Sequence, residues 1–137
     1  MLELEIPELP PAEYSANNSR GKAYYEQYRA SHGDEKGRGG ARELFKVLLN
    51  EAGWQGPVME RARIRVTFHL PDRRRRDPGG LQERMKPWFD ALVYFEVIKD
   101  DDLEHIGFPE YLEPVYGPGG PKTIIEIVRN EDGRASD

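Results

Sequence analysis

The chain has 137 residues, and a hydrophobic content of 37% supports one modest core rather than two. Twenty basic residues against 25 acidic ones leave a formal net charge of −5, and the mean hydropathy of −0.79 is polar for so short a chain. Cysteine is absent, which excludes disulfide frameworks, thiolate zinc centres and cysteine nucleophiles; no apolar run approaches the roughly 18 residues of a membrane span, and the opening residues carry no signal-peptide pattern, so a cytoplasmic location is expected.

In chain order, Leu2, Leu4 and Ile6 alternate with Glu3 and Glu5, which predicts a short half-buried strand ending at Pro7. Residues 10–40 lack a sustained period. They hold Tyr14, Tyr24, Tyr25 and Tyr28 among Arg20, Lys22 and Arg29, and 32–40 reads as a glycine-rich loop. Ala41, Leu44, Phe45, Leu48, Leu49 and Ala52 then fall at helical spacing, with Gly53 as a stop. The clearest element follows: Ala62, Ile64, Val66, Phe68 and Leu70 alternate strictly with Arg61, Arg63, Arg65, Thr67 and His69. That pattern predicts a strand with one core face and one basic face, ended by Pro71.

Four arginines, Arg73, Arg74, Arg75 and Arg76, lead to a Pro-Gly-Gly turn and a second helix bearing Leu81, Met85, Trp88, Phe89 and Leu92. Pro87 either kinks that helix or starts a new turn. Val97 and Ile98 run into Asp100, Asp101 and Asp102, a short strand is expected within 111–116, and Thr123 to Val128 predicts a last strand. The expected fold is therefore a small α/β (α+β) domain over 1–130, with a mixed sheet packed on two main helices and a polar tail at 131–137.

The charge is strongly segregated. From Arg61 to Asp90 nine basic residues face four acids, a surplus of +5; from Ala91 to Pro114 seven acids face Lys99 alone, a deficit of −6. Whether the basic run forms one patch decides if it meets a polyanion, and solvated surface is the commoner role of such runs. No phosphate loop, nucleophile elbow or His–His metal spacing is present, and His32, His69 and His105 read as lone histidines. Adjacent aspartates repel each other unless a cation or basic group offsets them. A helix packed back along the basic strand would bring Asp77 toward Asp100–Asp102, and clustered carboxylate oxygens suit Mg²⁺ or Mn²⁺. Arginines beside them would hold a phosphate backbone, a combination that describes metal-assisted phosphodiester cleavage.

The segment His69-Leu-Pro-Asp-Arg-Arg-Arg-Arg-Asp77, followed by Leu81, Lys86, Phe89-Asp90-Ala91-Leu92 and Asp100-Asp101, resembles the RusA family of Holliday junction resolvases. The match is densest over about 35 residues. The resemblance implies a homodimeric, Mg²⁺- or Mn²⁺-dependent endonuclease that cuts four-way DNA junctions symmetrically, its two-fold axis matching that of the junction. It implies Asp77, Asp100 and Asp101 as catalytic carboxylates, with Asp77 and Asp101 the foremost metal ligands and Asp102 a register alternative. Lys86 would contact the scissile phosphate or stabilise developing charge, and Asp90 would be structural. Arg73 to Arg76 with Arg61, Arg63, Arg65, Arg20 and Lys22 would bind DNA.

The chain departs from the family pattern where Gly79 and Gly80 replace an aspartate and an asparagine, and where three extra residues separate Leu81 from Lys86. Glu83 within that extension is a candidate substitute ligand. Its alternative is an exposed glutamate paired with a basic neighbour. Two rival readings stand beside the nuclease: a non-catalytic junction-binding protein impaired by Gly79, and a small module whose acidic block binds a basic protein.

Overall fold

In the computed structural model the described residues are 1–14 and 39–130. They form one α+β domain with a five-stranded mixed sheet. The elements in chain order are β1 (Leu2–Ile6), a 3₁₀ turn at Ala12–Tyr14, α1 (Gly39–Glu51), β2 (Ala62–Leu70), α2 (Pro78–Glu83), α3 (Lys86–Tyr94), α4 (Leu103–Ile106), β3 (Glu110–Tyr111), β4 (Val115–Tyr116) and β5 (Lys122–Arg129). The strand order is β1-β5-β2-β3, with β4 also paired to β2. β5 runs antiparallel to both β1 and β2, whereas β3 and β4 run parallel to β2.

The period-two pattern of each long strand decides which face is covered. Leu4, Ile6, Ile64, Val66, Ile125 and Ile127 are buried on one face, while Glu3, Glu5, Arg63 and Arg65 are exposed on the other. Helix α1 lays Ala41, Phe45 and Leu49 on the core as one stripe, and α3 adds Trp88, Phe89 and Leu92. Phe45 meets Trp88 at a ring-centroid distance of 6.3 Å. Among the described residues Thr123 is buried on this face and donates its hydroxyl to the Glu8 carbonyl at 2.9 Å, whereas the buried indole N–H of Trp88 has no hydrogen-bond partner.

The edge of the sheet is one parallel strand broken by a bulge. The offset between partners is 45 residues at Arg65↔Glu110 and 46 at His69↔Val115, so one extra residue is absorbed between them. Pro114 lies in that interruption, where its missing N–H costs no ladder bond. Both features blunt the exposed edge against further strand pairing.

The expected second helix is two helices. α2 ends at Glu83 and α3 begins at Lys86, with Pro87 in the first turn of α3, where the chain has no intrahelical acceptor for its nitrogen. A short helix absent from the sequence reading, α4, follows the aspartate cluster. The expected residues Arg20, Lys22, Tyr24, Tyr25 and Tyr28 and the 131–137 tail lie outside the described residues. Among the described residues no helix is long and apolar enough to cross a membrane.

Candidate metal and phosphate site

The segment after β2 is held by one carboxylate. Asp72 accepts from the backbone N–H and guanidinium of Arg74 and from the guanidinium of Arg76, all at 3.0–3.1 Å. Arg76 also donates to the carbonyls of Asp72 and Arg74 at 3.0 Å each. These bonds, led by that with the Arg74 side chain, hold the Asp72 carboxyl down at about 2. The four arginines therefore differ. The side chain of Arg76 is only 18% exposed and locks the loop. Arg73 lies over the Tyr116 ring at 4.2 Å. Arg75 is exposed and has no partner among the described residues.

Asp77 begins α2 as its N-cap and accepts from the Gly79 N–H at 3.3 Å. Pro78 follows at the first helical position, as the capping geometry favours. A Cβ placed on Gly79 would lie 3.7 and 3.9 Å from the two Asp77 carboxylate oxygens, which is ordinary contact. Glu83, at the other end of α2, is half-buried.

After α3 the chain turns back on itself. Val97 donates to the Leu92 carbonyl at 2.9 Å, and Lys99 donates to the Met59 carbonyl at 3.0 Å. Ile98 forms a parallel bridge with Met59. This return delivers the aspartates to the start of α3, where Lys86 Nζ lies 2.6 Å from Asp101 Oδ2 and 3.1 Å from Asp90 Oδ1. Burial opposes the charge of Lys86, but bonds to Asp101 and Asp90 outweigh it and raise the ammonium above its usual range. Asp90 thus pairs with a basic neighbour one helical turn away.

Asp100 and Asp102 take different roles from Asp101. The Asp101 N–H donates to Asp100 Oδ1 at 2.7 Å. Asp102 is the N-cap of α4; its Oδ1 accepts from the His105 N–H at 3.0 Å and also meets His105 Nδ1. That side-chain bond lowers the Asp102 carboxyl and raises the His105 imidazole. Asp100, Asp102 and His105 each offer a ligand atom within 4.8 Å of the other two, and among the described residues they are the group of three with that spacing. Asp77, Asp101 and Glu83 are outside it.

His105 is therefore not the lone histidine that its spacing from His32 and His69 indicated. The signal that finds it is Asp102-x-x-His105, which puts both side chains on one turn. Two carboxylates and an imidazole form a donor set that suits Mn²⁺ better than the all-oxygen shell Mg²⁺ favours. The same contacts are also a helix cap, which accounts for them without an ion.

The basic face of β2 is largely paired within the chain. Arg65 meets Glu110, its cross-strand partner, at 3.2 Å, and Arg61 meets Glu104 at 3.5 Å. The acidic block after α3 thus folds back onto the basic strand. No protein-family model and no curated protein matches the chain.

Proposed function

We propose that the chain is a divalent-metal-dependent endonuclease of RusA type, acting on four-way DNA junctions as a homodimer. The observation that carries this reading is the approach of Lys86 to Asp101, 2.6 Å across fifteen residues of sequence. It joins the lysine and the second aspartate of the motif in one place, as phosphodiester chemistry needs them. Asp100, Asp101 and Asp102 are the residues that would hold Mg²⁺ or Mn²⁺, with His105 as an added donor for Mn²⁺. An ion there would supply Lewis-acid polarisation of the phosphoryl oxygen and a more acidic water.

The chain's own groups would do the rest. Lys86 stays protonated and can offer its ammonium to charge that builds on the phosphate oxygens. Asp77, at the start of α2, follows directly on the arginine segment, so a phosphate held by Arg75 would approach its carboxylate. Arg75 and the outer side of Arg73 are the exposed positive groups for that contact. Gly79 removes one carboxylate from the motif, and Glu83 is the proposed substitute.

A junction-binding protein without cleavage is the second reading, favoured by Gly79 and by the exclusion of Asp77 from the ligand-spaced group. The test is cleavage of a synthetic four-way junction with Mg²⁺, with Mn²⁺ and with chelator. Symmetric nicks that require the ion support the nuclease; tight junction binding with intact strands under all three conditions supports the second reading.

A further inference from the structure

The end of β2, helix α2 and the bulged edge β3–β4 enclose a cavity of about 340 Å³ that lies beside Asp77 without containing it. Its size is that of a small-ligand site. Its apolar lining includes Phe68, Leu81, Tyr111 and Tyr116. Phe68 and Tyr111 lie nearly parallel, 14° apart with centroids at 6.0 Å. Burial pushes the Tyr111 phenol up to about 12, so its hydroxyl keeps its proton and remains a donor at neutral pH.

Polar groups reach the same space. Gln82 and Glu113 line it; both are exposed and neither side chain has a hydrogen-bond partner among the described residues. Arg74 and Arg76 also line it and share the single carboxylate of Asp72; Asp72 and Glu113 balance these two arginines, so the surplus positive charge is that of Arg73, over the lining residue Tyr116. Arg73 ties the arginine segment to Tyr116 across the opening between loop and edge strand. Aromatic faces, an uncommitted amide and carboxylate, and surplus positive charge together match one kind of ligand. A nucleobase has flat π-faces for the rings, a polar edge for Gln82 and Glu113, and a phosphate on each side for the arginines.

We propose that this cavity receives a single unstacked base of a nucleic-acid strand whose phosphates follow Arg73 to Arg76. Such a base leaves the stack readily where pairing is already broken, as at the centre of a branch. The inference rests on the nucleic-acid reading above and adds a base-binding site beside the proposed cleavage site. A base seated next to Pro78 would fix which phosphate reaches Asp77 and would give cutting a local register.

The test uses the full chain and a single-stranded 12-mer carrying one 2-aminopurine, whose fluorescence falls on stacking against a ring. Wild type should quench it. Tyr111→Leu, which keeps apolar volume but removes the ring, should weaken binding about tenfold and abolish the quench. Tyr116→Ser and Gln82→Ala, at exposed positions, keep the test open if Tyr111→Leu fails to fold, and each should reduce the quench. The free 2-aminopurine mononucleotide should bind at least tenfold more weakly than the 12-mer; equal binding would overturn the strand assignment. Absence of quenching in wild type, or equal quenching in all variants, overturns the base site. Junction cleavage measured on the same proteins separates the two readings: quenching without cleavage refutes the nuclease and leaves the base site standing, and cleavage without quenching does the reverse.

Discussion

The Lys86 ammonium lies 2.6 Å from Asp101 Oδ2, and Asp90 holds the same ammonium from one turn along α3 at 3.1 Å. The Asp101 side chain is only 13% exposed, whereas that of Lys86 is 64% exposed. Most of the cost of losing the pair therefore falls on the aspartate, which would keep a largely desolvated charge without its partner. Lys86→Met should destabilise the fold by about 1–2 kcal/mol, measured by urea unfolding, with Lys86→Arg recovering part of it. The lysine is raised above its ordinary value of 10.5. Its contribution is therefore complete below the unfolded-state value and is lost as pH rises through the higher folded-state value. Equal stability of Lys86→Met and wild type at pH 8 would show the contact to be inconsequential.

His105 and Asp102 predict a second pH effect. The imidazole is raised above 6.5 and the carboxyl is lowered below 3.8, each chiefly by the bond to the other. The histidine contribution is complete below its unfolded-state value and disappears as pH rises through the folded-state value. The aspartate contribution is complete above its unfolded-state value and disappears as pH falls through the lowered one. The pair thus supports α4 most in the acidic range between these limits. In an NMR titration His105 should titrate above 6.5, and Asp102→Asn should return it toward that figure. No movement on substitution would exclude the ion pair.

Much of the scaffold for this site is legible in the sequence. The strict alternation from Arg61 to Leu70 fixes β2 and its buried face, because a one-residue slip would expose Ile64, Val66 and Phe68 together. Pro87 marks a helix boundary for the local reason that it lacks an N–H. The pairing of Arg61 with Glu104 and of Arg65 with Glu110 is not legible, since it depends on how the chain returns after α3. Helix α4 escapes notice because four residues carry no period, and its cap, Asp102, reads as one more member of an acidic run. The unequal roles of Arg73 to Arg76 were hidden for a similar reason: identical residues in sequence are separated only by which of them Asp72 reaches.

That inequality is testable. Arg75→Ala should leave stability unchanged while lowering the slope of log affinity against log salt by about 0.9, as expected for one lost phosphate contact. Arg76→Ala should instead lower stability by about 1–3 kcal/mol, since its guanidinium spans two backbone carbonyls and Asp72. Salt-dependent junction binding and denaturant unfolding, run on both variants, check the distinction; identical behaviour would contradict it.

Gly79 offers a gain-of-function test. It lies in the first turn of α2 without a left-handed backbone, and a Cβ there meets only the Asp77 carboxylate at 3.7–3.9 Å. Gly79→Ala should therefore be neutral or stabilising by up to about 1 kcal/mol. Gly79→Asp places a second carboxylate beside Asp77 and should raise divalent-dependent junction cleavage about tenfold or more, each factor of ten being ~1.4 kcal/mol of barrier. Unchanged or lower cleavage by a folded Gly79→Asp protein would show that a carboxylate restored beside Asp77 adds nothing to the site.

The most direct measurement for the nuclease reading is single-turnover cleavage of a four-way junction in Mn²⁺ by wild type and by Asp101→Asn. The account predicts symmetric cleavage by wild type and a loss of at least a hundredfold in the variant, with junction affinity retained. Cleavage at equal rates by both proteins, or by neither, would contradict it.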